Sequence, residues 1–186
     1  VMSQPMIAPR IPRCGKPPLL CGAALILFGA NLVAGTLLTE DAESASPDVT
    51  LVTSGEYSAV QSDLVPQGNK AFSLGHMISD TSDQNITLTT TFSSTVSTNL
   101  YFESKLGWAS SSQVAFVEIS TDGGSTWTSI WNRAGTSDAG ESMFSLQTLS
   151  LVSFAGKTAT LRFRFSYSSG SFYPQSSPGV GWYFDN

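Results

Sequence analysis

The sequence predicts an all-β fold, an antiparallel β-sandwich of the jelly-roll type, for residues 46–186. Apolar and polar residues alternate with a period of two, as they do in strands that bury one face. Gly, Ser, Asn and Asp separate the alternating segments, as turn residues do. No segment beyond residue 45 has a convincing helical repeat. About nine or ten short strands of this kind are typical of a sandwich or jelly roll.

The longer strands are predicted where the alternation is longest. Residues 86–92 place Ile, Leu, Thr and Phe on one face and three threonines on the other. Residues 100–106 and 115–119 alternate in the same way, and residues 127–131 form the return strand after a turn. The clearest alternation, in residues 161–167, sets Leu161, Phe163, Phe165 and Tyr167 against Arg162, Arg164 and Ser166. Shorter strands are predicted at residues 50–53, 71–77, 144–151 and 180–185.

One turn between these strands matches the Asp-box pattern S-x-D-x-G-x-T-W, through Ser120, Asp122, Gly124, Thr126 and Trp127. Asp122 is expected to accept hydrogen bonds from backbone N–H groups just beyond it. The two glycines supply the positive φ that a tight hairpin needs. A sialidase-type propeller would repeat this hairpin in each blade, and here it occurs once. The turn therefore predicts a structural hairpin in a secreted β-sandwich.

Charge is sparse and acidic over most of the chain. Arg10, Arg13 and Lys16 are the only charged residues before Glu40. Of nine basic residues, six therefore remain after residue 39, against all 14 acidic ones, a net charge of −8. Because such a surface repels a phosphate backbone, we expect no nucleic-acid partner. The bland explanation, colloidal solubility, is favoured over steering of a cationic ligand.

The N-terminal residues 1–45 are predicted to be a signal peptide and a short linker. Residues 17–39 carry no charge and are largely apolar, and three basic residues precede them. This pattern favours a secretory signal peptide, with cleavage after Gly35 or Ser44, over an uncleaved signal anchor. The protein is then secreted, extracellular or on the cell surface, with no stable membrane span once the signal is cleaved.

The only two cysteines, Cys14 and Cys21, lie in this N-terminal segment. A mature domain without them has no disulfide, no thiolate metal site and no cysteine nucleophile. Such a domain depends on its core and, in some extracellular proteins, on bound calcium.

The second half of the chain resembles bacterial extracellular jelly-roll modules, namely choice-of-anchor J, cleaved-adhesin and MAM-like domains. The resemblance covers about residues 50–186, and its order is an Asp-box hairpin, then Phe-Ala-Gly-Lys with Leu-Arg-Phe, then Gly-Trp-Tyr-Phe-Asp. The matching stretches are residues 100–102, 106–108, 113–127, 144–151, 154–157, 161–163 and 181–185.

This resemblance implies a non-catalytic accessory or adhesion-type module that binds glycan, protein or a cell surface. It also implies that the module is one part of a longer secreted multidomain chain. These modules usually end in an acidic pair and Ile, whereas this sequence ends in Asp185-Asn186, so the last strand is expected to be truncated. The alternatives are a structural spacer within a larger peptidase or adhesin and, more distantly, a glycoside hydrolase-associated domain.

No enzyme class is supported by the residues. The single histidine, His76, is expected to be a partly buried strand residue and not a metal ligand. Glu103 and Glu118 fall on the outward faces of their strands and are expected to be solvated. Arg162 and Arg164, also outward, are expected to pair with acidic neighbours across the strands, more than to bind a carboxylate or sulfate ligand.

Calcium is the one cofactor that the sequence favours, since carboxylates and carbonyls suit Ca²⁺. The resemblance places Asp185 at a terminal acidic position, and jelly rolls commonly hold an ion between their first and last strands. Glu56 or Asp63 from the early strands would complete such a site. The alternative is that Asp185 caps a turn.

Aromatic residues near Gly/Ser-rich connections are the candidates for ligand binding. The loop from residue 168 to residue 181 carries Phe172 and Tyr173, and Trp108 follows a predicted strand. Aromatic rings on loops bind sugars and peptides by stacking. Trp127 and Trp182 are expected to pack in the core or against the hairpin.

Overall fold

The computed structural model describes residues 35–44, 47–53 and 57–186. Most of the apolar N-terminal segment lies outside these residues, as do Cys14, Cys21 and Glu56. The signal peptide and the contribution of Glu56 to a calcium site therefore remain predictions. Among the residues that are described, no helix has the length and apolar character needed to span a bilayer.

The described residues form an all-β structure of two antiparallel sheets with no α-helix, so the predicted β-sandwich architecture is confirmed. One 3-10 turn spans Val152–Phe154. The strands in chain order are β1 (Val49–Val52), β2 (Val60–Gln61), β3 (Ala71–Leu74), β4 (Ser82–Leu88), β5 (Phe92–Ser93), β6 (Asn99–Leu106), β7 (Gln113–Ser120), β8 (Thr128–Ala134), β9 (Ser145–Ser150), β10 (Thr158–Tyr167) and β11 (Trp182–Asp185).

The two sheets interleave the chain. The six-stranded sheet has the order β1-β4-β10-β7-β8, with β5 beside the other end of β10. The five-stranded sheet has the order β2-β3-β11-β6-β9. Strand β11 therefore lies at the centre of the second sheet, between β3 and β6, where Phe184 is opposite both Phe72 and Ser104.

The core between the sheets is rich in aromatic rings. Phe163 of the first sheet stacks on Phe184 of the second, with ring centroids 4.5 Å apart and planes 6° apart. Phe102 meets Phe163 edge-on, and Trp182 lies beside Phe163 and Trp131. Such pairs contribute about 0.5–1.5 kcal/mol each beyond the area they bury. The core thus ties the two sheets together through large rings of β6, β10 and β11.

The predicted alternation holds in β10 and breaks after β4. Leu161, Phe163, Phe165 and Tyr167 are buried, while the residues between them are half-buried. In contrast, residues 86–92 do not form one strand, because β4 ends at Leu88 and a bend separates it from β5. The side chain and backbone of Thr89 both bond to the Asp48 carbonyl at this bend. The sequence pattern alone gave no sign of this break.

Glu118 is not solvated, so that prediction is wrong. It does lie on the outer face of β7, but its side chain is only 6% exposed. Arg162 donates to Glu118 Oε2 at 2.6 and 2.8 Å, and Arg164 donates to Oε1 at 2.7 Å. Burial alone would raise the pKa of Glu118, but the hydrogen bonds from Arg164 and Arg162 outweigh it and lower the pKa. The predicted pairing of both arginines with acidic neighbours is confirmed.

Aromatic rings complete the cover of this ion cluster. The Arg162 guanidinium lies 4.3 Å from the Trp127 ring centroid, and that of Arg164 lies 4.2 Å from the Phe116 ring centroid. Arg164 also bonds to Asp83, whose side chain is 47% exposed. The cluster therefore links β4, β7 and β10 on the outer face of the six-stranded sheet.

Glu118→Ala is expected to lower the free energy of unfolding by about 2–4 kcal/mol, because two guanidiniums lose their shared carboxylate. The partial exposure of both arginines places this below the largest effects of broken buried pairs. Asp83→Ala, in the same cluster but exposed, is the matched control and is expected to cost about 0–1 kcal/mol. Urea unfolding of the three proteins measures both values, and equal effects would contradict the assignment of Glu118 as the centre of the cluster.

Candidate functional site

Three loops meet beside Trp108, one of the predicted ligand-binding residues. The Trp108 backbone N–H donates to the Gly179 carbonyl at 2.8 Å, and its carbonyl accepts from the Gly181 N–H at 3.0 Å. Gly107 allows this close approach, since a Cβ there would collide with the Gly179 carbonyl. The loop of residues 135–144 joins through Ser137, whose N–H donates to the Ala109 carbonyl at 2.9 Å.

The structure brings Trp108 and Tyr173 together and places Phe172 elsewhere. The Trp108 and Tyr173 ring centroids are 5.3 Å apart, and Trp108 is 40% exposed. The Tyr173 hydroxyl donates to the Ser137 carbonyl at 2.9 Å, which fixes its ring across the loops. Phe172 instead packs against Tyr167, 5.5 Å away. Trp108 and Tyr173 therefore form one half-exposed aromatic pair.

A buried glutamine holds the Tyr173 loop in place. Gln113 is fully buried, and its Oε1 accepts from the Tyr173 N–H at 2.8 Å and from the Ser110 N–H at 3.0 Å. Its Nε2 donates to the Tyr173 carbonyl at 3.1 Å. One side chain thus satisfies both backbone groups of Tyr173, as a neighbouring strand would, and rigidifies the aromatic pair.

His76 supports Gln113 from the other side. It is 1% exposed, just beyond β3, and its Nδ1 lies 3.3 Å from Gln113 Nε2. Because the amide nitrogen donates, Nδ1 is the acceptor and the ring proton is on Nε2, 3.2 Å from the Ser82 carbonyl. Burial lowers the pKa of His76, while the Ser82 carbonyl and the Asp83 charge act in the opposite sense. The folded protein therefore holds the imidazole neutral.

Asp185 is a buried carboxylate that forms no ion pair with a basic side chain among the described residues. It lies on the outer face of β11, opposite Glu103 of β6, and is 3% exposed. Its Oδ1 has no hydrogen-bond partner among the described residues. Burial raises its pKa to about 6, and the negative charges of Asp41, Glu43 and Glu103 add to that effect.

The segment of residues 40–44, assigned by the sequence to a linker, packs against the sandwich near Asp185. Glu43 accepts hydrogen bonds from the Asn69 and Lys70 N–H groups at 2.6 and 2.9 Å, and these bonds lower its pKa. Ala42 is fully buried with a φ of 57°. This anchoring explains why the charges of Asp41 and Glu43 act on Asp185.

The structure describes only one of the two residues that were predicted to complete a calcium site with Asp185. Asp63 is exposed in the loop after β2, and Glu56 lies outside the described residues. Within the described part of the chain, no group of three or more His, Cys, Asp or Glu side chains is arranged to hold a metal ion. Asp41 and Glu43 are the acidic neighbours that the sequence did not single out.

The hairpin between β7 and β8 is held by its aspartate and serine. Asp122 accepts from the Thr126 N–H at 2.9 Å and from the Thr126 hydroxyl at 2.5 Å, and these bonds, with one from Ser120, lower its pKa to about 2. Gly123 and Gly124 have φ angles of 72° and 89°, as a tight turn requires. Trp127 returns from the turn onto Arg162. The hairpin thus has a structural role, since it positions Trp127 against Arg162 of the ion cluster.

Comparison with known proteins assigns no relative: no protein-family model matches the chain, and no curated protein matches it. Function must therefore be argued from the geometry of the loops and the buried charges.

Sequence reasoning missed Gln113, Asp41 and Glu43. Gln113 opens a strand next to a serine-rich turn, and nothing in that pattern shows that its amide will bond to a residue 60 positions later. The acidic run of residues 40–43 was visible, but its position next to a signal-like segment favoured a linker. The positions of these groups depend on contacts between segments that are distant in the sequence.

Below about pH 6.5, His76 is expected to reduce stability, because the unfolded chain binds a proton that the folded imidazole resists. The free energy of unfolding decreases as pH falls below the His76 pKa of the unfolded chain, by at most about 1.4 kcal/mol per pH unit. Asp185, with its raised pKa, contributes in the opposite direction below about pH 6. His76→Gln removes the only imidazole of the chain and isolates its share.

Thermal melts of both proteins between pH 5 and pH 8 measure this difference, and the Tyr173 amide gives a local readout by hydrogen exchange. Relative to its intrinsic exchange rate at each pH, that amide is expected to be less protected at pH 5 than at pH 8 in the wild type, because protonation of Nδ1 would place a second donor against the Gln113 Nε2 amide. Parallel pH curves for the two proteins would contradict a neutral His76.

Proposed function

We propose that this chain is a non-catalytic accessory or adhesion-type module of a secreted bacterial protein, built on a jelly-roll sandwich, that binds glycan, protein or a cell surface. The observation that carries the proposal is the half-exposed pair of Trp108 and Tyr173 on three joined loops. Aromatic rings of this kind provide large contact area at a low cost in conformational entropy.

The rigidity of the loops supports a binding role. Tyr173 is fixed by Gln113 at both backbone groups and by Ser137 at its hydroxyl. The backbone bonds of Trp108 to Gly179 and Gly181 fix the second ring. A ligand that binds such a surface does not have to order it first, so more of the contact energy appears as affinity.

Two titratable groups with displaced pKa values, His76 and Glu118, have structural partners, which favours binding over catalysis. His76 uses both ring nitrogens inside the fold. Glu118 is shared by two arginines. A general acid or base needs an accessible group poised between two protonation states, and neither residue offers one.

We further propose that Asp185 and Asp41 hold a structural Ca²⁺ ion, with Glu43 and Glu103 adding negative charge. The fit is supported by the buried, unpartnered Oδ1 of Asp185 and by the raised pKa that its acidic neighbours help to cause. Calcium prefers oxygen ligands such as carboxylates, and two carboxylates would balance its charge. The ion would neutralise repulsion between the segment of residues 40–44 and β11.

Trp108→Ala is expected to abolish ligand capture by the loops while leaving the fold intact, because the ring is 40% exposed and projects from a loop. A glycan array and a pull-down from cell-surface extract measure binding by the full chain. Tyr101→Ala, at 53% exposure on β6, is the matched control and is expected to bind as the wild type does.

If the wild type binds nothing in either assay, the binding module is rejected in favour of the structural spacer. Hydrolysis of a glycoside that is lost in Glu103→Gln would instead support the hydrolase-associated alternative.

Calcium at 10 mM is expected to stabilise the protein by about 1.4–2.7 kcal/mol if its affinity is that of extracellular modules, or by about 3–10 °C in Tm. The effect is expected to be smaller at pH 5 than at pH 7.5, because protons compete with the ion for Asp185, whose pKa is about 6.

Asp185→Asn separates the calcium site from a turn cap. Without calcium this variant is expected to melt at a higher temperature than the wild type, because it removes an uncompensated buried charge, and it is expected to lose the calcium response. Asp80→Asn, an exposed residue, is the control. A destabilised Asp185→Asn with an unchanged calcium response would reject the site, and calorimetry with and without chelator makes the measurement.

A further inference from the structure

A cavity lies on the outer face of the five-stranded sheet. It has a volume of about 260 Å³, and its walls come from β3, β11 and the segments that cover them. Ser73 and Tyr183 are opposite one another on β3 and β11 and form its floor. The wall and rim are completed by Tyr57, Asp63, Gln175 and Pro178, and among the described residues no basic side chain lines the cavity. Gln175 and Pro178 lie in the same loop as Tyr173, but neither ring of the Trp108–Tyr173 pair and no residue of the ion cluster is among the residues that line the cavity.

The Tyr183 hydroxyl is set up as a donor. It accepts hydrogen bonds from Gln175 Nε2 and from the Gly179 N–H, both at 3.1 Å. Among the described residues no acceptor takes its own proton, and because Tyr183 is only 1% exposed, a ligand could reach this O–H only through the floor of the cavity. Gly75 and Gly181 leave room for the Gln175 amide, because a Cβ at either position would collide with its Oε1, which has no hydrogen-bond partner among the described residues.

Tyr57 and Gln61 position the opposite side. The Tyr57 hydroxyl accepts from the Gly75 N–H at 3.1 Å and bonds to Gln84 at 3.5 Å, so the ring is held as an apolar wall. The Gln61 side chain accepts from the Asp63 and Leu64 N–H groups at 2.6 and 2.9 Å. Its Nε2 donates to the Leu64 carbonyl at 2.7 Å. The loop that presents the exposed Asp63 carboxylate is therefore built by local side-chain bonds.

We propose that this cavity binds a single neutral sugar residue, such as the end of a glycan chain. The site offers a phenolic donor, a serine hydroxyl and a carboxylate acceptor between tyrosine and proline surfaces. A sugar hydroxyl both donates and accepts, so it satisfies Tyr183 and Asp63 together. An ammonium group would leave the Tyr183 proton without an acceptor, and the carboxylate repels an anion. The volume lies below the roughly 300–1,000 Å³ of pockets for drug-sized ligands, which suits one ring.

The inference rests on the proposed binding role, for which it names a ligand class and a site distinct from the Trp108–Tyr173 ring pair. The test is saturation-transfer NMR of the full chain with methyl β-galactoside, methyl α-mannoside, methyl β-glucoside and N-acetylglucosamine. Affinity in the millimolar range is expected for at least one of them. Tyr183→Phe, which removes one hydrogen bond, and Asp63→Asn, which removes the charge of the acceptor, are each expected to weaken it about fivefold.

Two control variants make the result decisive. Tyr101→Phe on the same sheet face and Trp108→Ala on the loops are expected to bind the sugar as the wild type does. Asp63 is exposed, so Asp63→Asn tests the site even if Tyr183→Phe is unstable in a thermal melt.

Sugar binding that is unchanged in both cavity variants, or lost only in Trp108→Ala, would overturn the cavity assignment while leaving the binding module standing. Binding of n-butylamine in place of every glycoside would overturn the ligand class. If no probe binds, the inference fails, and the array and pull-down with wild type and Trp108→Ala still decide the proposed function.

Discussion

The alternation of one short strand, β11, is the constraint on which the rest of the structure depends. Trp182 and Phe184 point inward and complete the aromatic core with Phe163. Tyr183 and Asp185 point outward, one onto the polar cavity and the other towards the acidic neighbours. Because side chains alternate with a period of two, a register slip of one residue would bury a carboxylate in the core and expose two large rings. Pairing with both β3 and β6 excludes that slip.

In the loops, side-chain amides bond to backbone groups that neighbouring strands satisfy elsewhere in the fold. Gln113 bonds to both backbone groups of Tyr173, Gln61 closes the loop of Asp63, and Gln175 holds Tyr183. Irregular backbone must satisfy its N–H and C=O groups, and a buried amide supplies one donor and one acceptor side at once. The loops of both candidate binding surfaces are therefore ordered by hydrogen bonds within the protein, so a ligand would not have to order them on binding.

The sequence was sufficient for the sheets and insufficient for the sites, for a physical reason. Period-two alternation depends on near neighbours, so β10 and the hairpin at Asp122 could be located from it. The burial of Glu118 depends on Arg162 and Arg164, more than 40 positions away, and outward placement alone suggested solvation. The Tyr173 loop was visible as a Gly/Ser-rich segment, but the partner that orders it, Gln113, was not. Contacts between distant segments decided every error.

Two buried carboxylates show how charge balance separates structure from function. Glu118 is surrounded by donors from Arg162 and Arg164, and its pKa is lowered; the cluster is complete without any ligand. Asp185 has the same burial, but its neighbours are acidic and its pKa is raised. A buried charge that lacks a partner costs free energy that folding must offset elsewhere. The face of β11 that carries Asp185 therefore has a concentration of negative charge that the Glu118 face does not have, and this imbalance is the physical ground for the calcium proposal.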